Sequence, residues 1–419
     1  MGYQSICLIF IFIKCYASAN ENYCYSDNIK CDKKINRYLF YDVNPPEGFN
    51  LRLDVYMRFA ILSNKMMKSS DPTLNGFKLV LPPWSNLIHW QYSDTPDHIP
   101  WGHYFDLDSL KRFAPVIEMY QFFNEHPKTY SRVTIDEVYT LQHFEDMFET
   151  GNFEDRMQID KCRKKQNISF FFYNNITANN YHCLSYHGPV TKLVQLFLNT
   201  TASSILINHG EVSLHEYFGN KVYWQARRSL RYSKELVDIA ADFRREHLDS
   251  TDEKDKTLLP KNWEDEKPNR KPRGGPYVAI HLRRRDFLRS RSKEIPSLEN
   301  VAEQVSKTLQ RLKLQTVFVA TDGSAKEFEH LSSLLSRYKV KRYTASEAFR
   351  SKYKDGGVAI VDQIICSHAR YFIGTHESTF TFRIEERREI LGFDEDTTFN
   401  VFCSDDRNCP KSSVWKIVY

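Results

Sequence analysis

The chain has 419 residues, 41% hydrophobic and 26% charged, with 29 Phe and 24 Tyr. That is too long for one ordinary core and rich enough in apolar side chains for two, which excludes wholesale disorder. A net charge of +5 is mild and does not describe a nucleic-acid binder, whose basic residues dominate a face or a tail. There is no repeat of fixed period and no low-complexity tract.

At the amino terminus, residues 6–13 (ICLIFIFI) form an apolar run of eight, far short of the roughly 20 residues of a membrane span. Ala17-Ser18-Ala19 then supplies a small-x-small cleavage pattern, and polar Asn20-Glu21-Asn22 follows. Residues 1–19 therefore read as a secretory signal peptide, although no Lys or Arg precedes the run. The mature chain is expected to be lumenal or secreted, without a membrane span. Cys7 and Cys15 leave with the signal. Among the other cysteines, Cys24–Cys31, Cys162–Cys183 and Cys403–Cys409 are close enough in sequence to suggest disulfides, and Cys366 is left over in an apolar run (VAIVDQIICSHA). Spacing does not fix connectivity. Zinc held by Cys162, His182, Cys183 and His187 is the weaker alternative in an oxidising compartment. Sequons stand at Asn167, Asn175 and Asn199, and glycan acceptors need surface loops.

From residue 37 the N-terminal half, taken as 20–248, alternates apolar strands with amphipathic helices. Residues 38–43 (YLFYDV) read as a strand, followed by a turn and a helix to about Lys68. Residues 77–81 (FKLVL), 116–117 and 138–141 read as further strands. Residues 249–276 break the pattern with charge, Pro and Gly, as a linker or exposed loop does. In the C-terminal half, 277–419, strands are expected at 277–282, 317–320 and 371–374. Helices are expected at 298–314, 326–338 and 357–368 and from about Thr379. This order implies two doubly wound α/β domains with parallel sheets facing a cleft. Ligands of such sheets bind beyond the carboxyl ends of the strands.

Three strand ends carry chemistry-bearing residues. After the first comes Asp42-Val43-Asn44-Pro45-Pro46-Glu47-Gly48-Phe49-Asn50. The prolines fix the backbone before Glu47, and Gly48 permits a tight turn and close ligand approach. A rigidly held carboxylate suits a general base; the alternative is that Glu47 merely caps the next helix. The second end is His281-Leu282-Arg283-Arg284-Arg285-Asp286-Phe287. Alternation puts Arg283 on the side of His281 and Arg284 on the other. A guanidinium fork suits a diphosphate, so Arg283 is the candidate and Arg284 and Arg285 are structural or surface residues; a solvated basic patch is the alternative. The third end leads through Gly374-Thr375-His376-Glu377 into Ser378-Thr379-Phe380-Thr381. Free N–H groups and hydroxyls at a helix start make a phosphate cradle, or a plain N-cap. Asp362, in the preceding run, is placed to accept hydrogen bonds from a base or sugar. No P-loop or GxGxxG occurs. The triplets Asp106-Leu107-Asp108 and Asp394-Glu395-Asp396 are weak metal candidates, the first resembling an N-cap. Without a metal, Arg283 and the helix N-terminus would neutralise a departing diphosphate.

With NPPEGFN (44–50), HLRR-x-DF (281–287), FVATD (318–322), DGGVAI-x-DQ-x-IC (355–366) and FIGT (372–375) in this order, nearly the whole mature chain resembles the GDP-fucose protein O-fucosyltransferase 2 family. The resemblance implies a GT-B glycosyltransferase of the endoplasmic reticulum lumen. It would transfer fucose from GDP-β-L-fucose, with inversion and no essential metal, to Ser or Thr of folded thrombospondin type 1 repeats. Glu47 matches the family's catalytic base. Pro46, Glu47, Gly48, Phe49, Asn50, His281, Leu282, Arg283, Asp362, Thr379 and Phe380 match its donor-binding positions, and Ser378 precedes them at the helix start. Arg283 would stabilise charge on the leaving phosphate. A monomer is expected, with no nucleic-acid partner. Two features depart from the family pattern. Glu377 puts a carboxylate in the turn before the cradle, where it must point outward, and no KDEL-like tetrapeptide closes the chain, so retention rests on resemblance. Fucosylation of EGF-like repeats by a related enzyme, and a non-catalytic lumenal factor holding such repeats, are the competing readings.

Overall fold

Strand β1 (Arg37–Tyr41) shows how the first sheet is built. Leu39 and Tyr41 point to one face, Tyr38 and Phe40 to the other, and all are buried. A strand covered on both faces reads as an unbroken apolar run, which is the signature of a parallel sheet. In this computed structural model, residues 36–419 are described except 46, 86, 88–89, 91–97, 126–132, 164–169, 269 and 407. The expected signal peptide, the Cys24–Cys31 pair, Pro46 and the Asn167 sequon lie outside the described residues.

The first sheet continues with β2 (Phe77–Leu81), β3 (Val116–Glu118), β4 (Val133–Gln142), β5 (Arg156–Asp160), β6 (Ile176–His187) and β7 (Ser204–Asn208). Its order is β3-β2-β1-β7-β4-β6-β5, parallel throughout except that β5 runs antiparallel to β6 at the edge. The expected strand 138–141 is the second half of the longer β4. β5, β6 and β7 have no counterpart among the expected strands: in β6 (ITANNYHCLSYH) the exposed Asn179, Asn180 and Tyr181 interrupt the apolar run. Helix α1 (Phe49–Met67) covers the Leu39/Tyr41 face with Leu53, Tyr56, Met57 and Ala60. Met119, Phe122, Phe170 and Phe171 cover the Tyr38/Phe40 face.

The chain then forms α2 (Lys221–Ser229) and α3 (Lys234–Leu248) before entering the second sheet. That sheet comprises β8 (Gly275–Leu282), β9 (Thr316–Thr321), β10 (Lys339–Lys341) and β11 (Ala369–Ile373), in the order β10-β9-β8-β11 and wholly parallel. One face carries α4 (Leu298–Leu312), whose Val301, Val305 and Leu309 pack on Val278, Ile280, Val317 and Val319. The other face (Tyr277, Ala279, Phe318, Ala320) joins the hydrophobic cluster that contains α1 and the first sheet, so both halves share a core. α5 (Ala325–Leu334) begins with a capping box between Ser324 and Glu327. α6 (Glu347–Ser367) is kinked at Lys354 (φ 49°, ψ −160°), and α7 (Thr379–Leu391) ends at Gly392, φ 89°.

Some boundaries differ from expectation for local reasons. α4 stops at Leu312 because Lys313 turns left-handed (φ 54°) and sends Leu314 into the core. α5 stops at Leu334, four residues short of Tyr338, and α6 starts ten residues before Gly357. The charged segment 249–276 is not an exposed loop throughout. Asp255, Trp263 and Glu266 are buried, with Asp255 on the Ser250 hydroxyl and Glu266 on Arg231 at 2.5 Å. Cys162–Cys183 and Cys403–Cys409 are disulfides, and Cys366 is a free thiol buried in α6. The first disulfide removes the zinc alternative, and His182 turns to Glu137 at 2.8 Å. Asn199 is exposed and Asn175 half-buried. Among the described residues, no helix is long and apolar enough to cross a membrane.

Candidate active site

Both sheets reverse direction at the strand ends singled out by sequence. In the first, the chain steps outward from β1 to β2 and β3, and β7 returns on the other side of β1. In the second, it steps from β8 to β9 and β10, and β11 returns on the other side of β8. Loops diverge at such switch points and leave a crevice beyond the carboxyl ends of the strands. Hydrogen bonds stitch the neighbouring ends together. Gly210, after β7, donates its N–H to the Asp42 carbonyl after β1 at 2.8 Å. The Thr375 hydroxyl, after β11, donates to the His281 carbonyl and accepts from the Arg283 N–H, both at 2.9 Å.

At the first switch point, Glu47 closes a turn by donating its N–H to the Asn44 carbonyl at 3.0 Å. It does not cap α1. Gly48 occupies the N-cap position in ordinary extended geometry (φ −78°), with no side-chain cap, so the left-handed freedom of glycine is not needed there. Among the described residues, the half-buried Glu47 carboxylate makes no hydrogen bond or ion pair. Burial and the nearby Glu211 carboxylate raise its pKa above the ordinary value, against the pull of Arg52. Asp42 is pushed up by burial to about 6. Phe49 is buried among Trp84, Trp90, Tyr104 and Phe105, a packing role. Asn50 accepts from the Gln363 amide of α6 at 2.9 Å.

At the second, His281 is 4% exposed, hydrogen-bonds the Thr381 hydroxyl through Nδ1 at 2.9 Å and stacks on Phe380 at 4.3 Å. Burial, with Arg283 alongside, depresses its pKa to about 3. The ring is therefore neutral at physiological pH and suited to hydrogen bonding rather than to holding a proton. The Leu282 side chain lies in the core, which leaves only its main chain to meet a ligand beyond the strand end. Arg283, 22% exposed, is held by Asp286 at 2.9 Å and Asp322 at 3.2 Å. Arg284 is structural: its N–H goes to Asp322, and its guanidinium goes to Glu327 and the Pro296 carbonyl. Arg285 is exposed.

In the third segment, Ser378 takes the N-cap position of α7, but its hydroxyl makes no cap bond. The first-turn N–H groups of α7 thus lack the usual side-chain partner. Thr379 is exposed and Phe380 half-buried beside them. Glu377 turns away at φ 54° and pairs with Arg291, which lowers its pKa. The preceding turn needs Gly374, where a Cβ would stand 2.2 Å from Thr381 Cγ2. On α6, Asp362 keeps Oδ1 buried without a partner, and burial raises its pKa to about 8 against Arg342 and Arg350. α1 and α7 are in contact, with Arg383 of α7 beside Asp54 and Met57 of α1. Among the described residues no cluster of His, Cys, Asp or Glu is built to hold a metal, and Asp106 of the first acidic triplet caps its helix through Ser109 N–H. Sequence reasoning missed Thr375, Asp322, Gln363 and Glu211. Thr375, Asp322 and Gln363 lie inside the quoted motifs FIGT, FVATD and DGGVAI-x-DQ-x-IC; nothing local distinguishes Glu211.

Residues 38–391 match the sequence profile of the GDP-fucose protein O-fucosyltransferases. The chain belongs to that family. GDP-fucose protein O-fucosyltransferase 2 of Homo sapiens is 41% identical over 397 residues, spanning 91% of this chain and 90% of the other. The Caenorhabditis elegans protein of the same name is 41% identical over 401 residues with the same coverage. The crystal structure of POFUT1 in complex with GDP superposes with a TM-score of 0.56 over 88% of this chain and 98% of that one, at 16% identity. The fold is thus the expected GT-B. As a GDP-fucose protein O-fucosyltransferase, the chain takes its sugar from GDP-fucose.

Proposed function

We propose that the chain is a peptide-O-fucosyltransferase of the endoplasmic reticulum lumen. It transfers fucose from GDP-β-L-fucose, with inversion, to Ser or Thr hydroxyls of folded thrombospondin type 1 repeats. The observation that carries this reading is the 41% identity, over nine-tenths of both chains, to proteins named O-fucosyltransferase 2. The two disulfides fit an oxidising compartment.

In this reading Glu47 takes the proton of the acceptor hydroxyl while that oxygen bonds to the anomeric carbon from the face opposite GDP. The bond from that carbon to the β-phosphate oxygen breaks, and GDP leaves with the electron pair. An unpaired carboxylate with a raised pKa supports the role, because a base works best when its pKa approaches the working pH. Arg283 and the uncapped start of α7 neutralise the departing diphosphate. Neutral His281, Asp362, Ser378, Thr379 and Phe380, with residues 46–50 and the Leu282 main chain, hold the donor. Asp362 Oδ1, buried and unpartnered, suits an N–H of the base, and no step uses a metal.

The test is the intact mass of two folded acceptors, a thrombospondin type 1 repeat and an EGF-like repeat, after incubation with the protein, GDP-fucose and a chelator. One deoxyhexose on the thrombospondin repeat alone is expected. Gain on the EGF-like repeat alone would transfer the assignment to the related activity. GDP-fucose binding without gain on either would favour a non-catalytic binding factor.

A further inference from the structure

The turn that carries Glu47 belongs to no helix or strand, and two side chains from outside hold its main chain. From α1, Arg52 (9% exposed) folds its guanidinium back over the helix start. Its Nε donates to the Glu47 carbonyl at 3.0 Å and its Nη2 to the Pro45 carbonyl at 3.1 Å. From beyond β7, Glu211 accepts the Asn44 N–H on Oε2 at 3.1 Å, while its Oε1 meets His209 Nδ1 at 3.0 Å. The base of Glu211 is itself stiff. His209 is left-handed (φ 55°), and Gly210 lies against Phe59 so closely that a Cβ would come within 2.6 Å of the ring.

We propose that Arg52 and Glu211 are positioning residues for Glu47, clamping its turn from two sides and fixing where its carboxylate stands in the crevice. The proposal rests on the reading of Glu47 as the base. The carboxylate has no partner of its own among the described residues, so its placement depends on the main chain beneath it, and that main chain is what the two side chains grip. A planar fork can hold two carbonyls in a fixed relation, whereas an ammonium cannot.

The same pair sets the electrostatics. Arg52 faces Glu47 from α1 and Glu211 from the β7 side. Asp42 sits behind them, within reach of Arg52, Glu211 and His209, and His143 at the end of β4 feels Glu211. Glu211 stays ionised because hydrogen bonds from His209 and Asn44 outweigh its burial. It therefore presents a fixed negative charge to Glu47.

The experiment places Arg52→Gln, Arg52→Lys, Glu211→Gln and Glu211→Ala in the wild-type and Glu47→Ala chains, with GDP affinity and thermal melting as controls. A displacement of about 1 Å costs on the order of 100-fold in rate. Arg52→Gln should therefore lower kcat roughly 10- to 100-fold with little change in donor KM, and Arg52→Lys should not rescue it. Neither should lower the residual rate of the Glu47→Ala chain further, as expected of residues acting through Glu47. Glu211→Gln still accepts the Asn44 N–H, so it should keep kcat at high pH and move the acid limb of the profile to lower pH. Glu211→Ala should lose rate at every pH. Wild-type kcat in Arg52→Gln and Glu211→Ala, or equal fold-losses with and without Glu47, would overturn the clamp. A Glu47→Ala chain as fast as wild type would instead remove the base reading itself.

Discussion

Gln363 donates its side-chain amide to Asn50 Oδ1 at 2.9 Å and accepts the Tyr232 hydroxyl at 2.5 Å. It is fully buried, so this one side chain ties α6, which carries Asp362, to the first turn of α1 beside Glu47. The two halves of the molecule thus meet beside the Glu47 turn through a satisfied polar contact. Gln363→Leu would strand the buried Tyr232 hydroxyl, at about 1–3 kcal/mol for a buried group left unsatisfied, and would free the half-buried Asn50 side chain. Thermal unfolding should show a lower melting temperature, and GDP should bind more weakly because Asp362 and the Glu47 turn lose their common anchor.

Arg283 is held between two carboxylates, so its guanidinium is oriented before any phosphate arrives. Arg283→Ala should lower kcat by about 10²–10³-fold, the usual cost of losing one donor to a developing negative charge. Arg283→Lys should recover only part of this, since an ammonium keeps the charge without the fork. Steady-state kinetics with varied GDP-fucose, on samples with native melting curves, would check it.

The pKa of Asp362 near 8 means its carboxyl is mostly protonated at pH 7 when nothing is bound. A ligand N–H favours the carboxylate and so lowers that pKa. GDP binding at pH 7 should therefore release protons, and the release should vanish above about pH 9, where the group is already ionised. Calorimetry in buffers of different ionisation enthalpy measures this directly, and Asp362→Asn should abolish it.

Glu386 on α7 is buried against Arg227 at 2.5 Å and Arg383 at 3.2 Å, with the Tyr223 hydroxyl as a further partner. Arg227 and Tyr223 belong to α2, so the cluster pins α2 to the helix whose start forms the cradle. Removing one member of a buried pair strands the other charge, at about 3–5 kcal/mol. Glu386→Ala should lower the denaturant midpoint by a corresponding amount.

The strand ends that build the crevice were legible because parallel strands are apolar on both faces and stop abruptly at Asp42, Arg283 and Gly374. Strand order was not legible, and without it neither switch point could be read. β7 (SILIN) is a short apolar run, and only pairing with β1 shows that it delivers Glu211 to the Asn44 N–H. Charge misled at one place. Glu266 sits in a run that reads as solvated yet is buried on Arg231. Its partner comes from a distant segment, which local periodicity does not register.

The central claim is that Glu47 removes the acceptor proton. Its most direct test is single-turnover transfer to a folded thrombospondin type 1 repeat by wild type and Glu47→Gln, with GDP-fucose affinity measured on the same samples. Loss of a positioned base predicts a rate lower by about 10²–10⁴-fold, with donor affinity and melting temperature close to wild type. Transfer by Glu47→Gln at the wild-type rate would contradict the account.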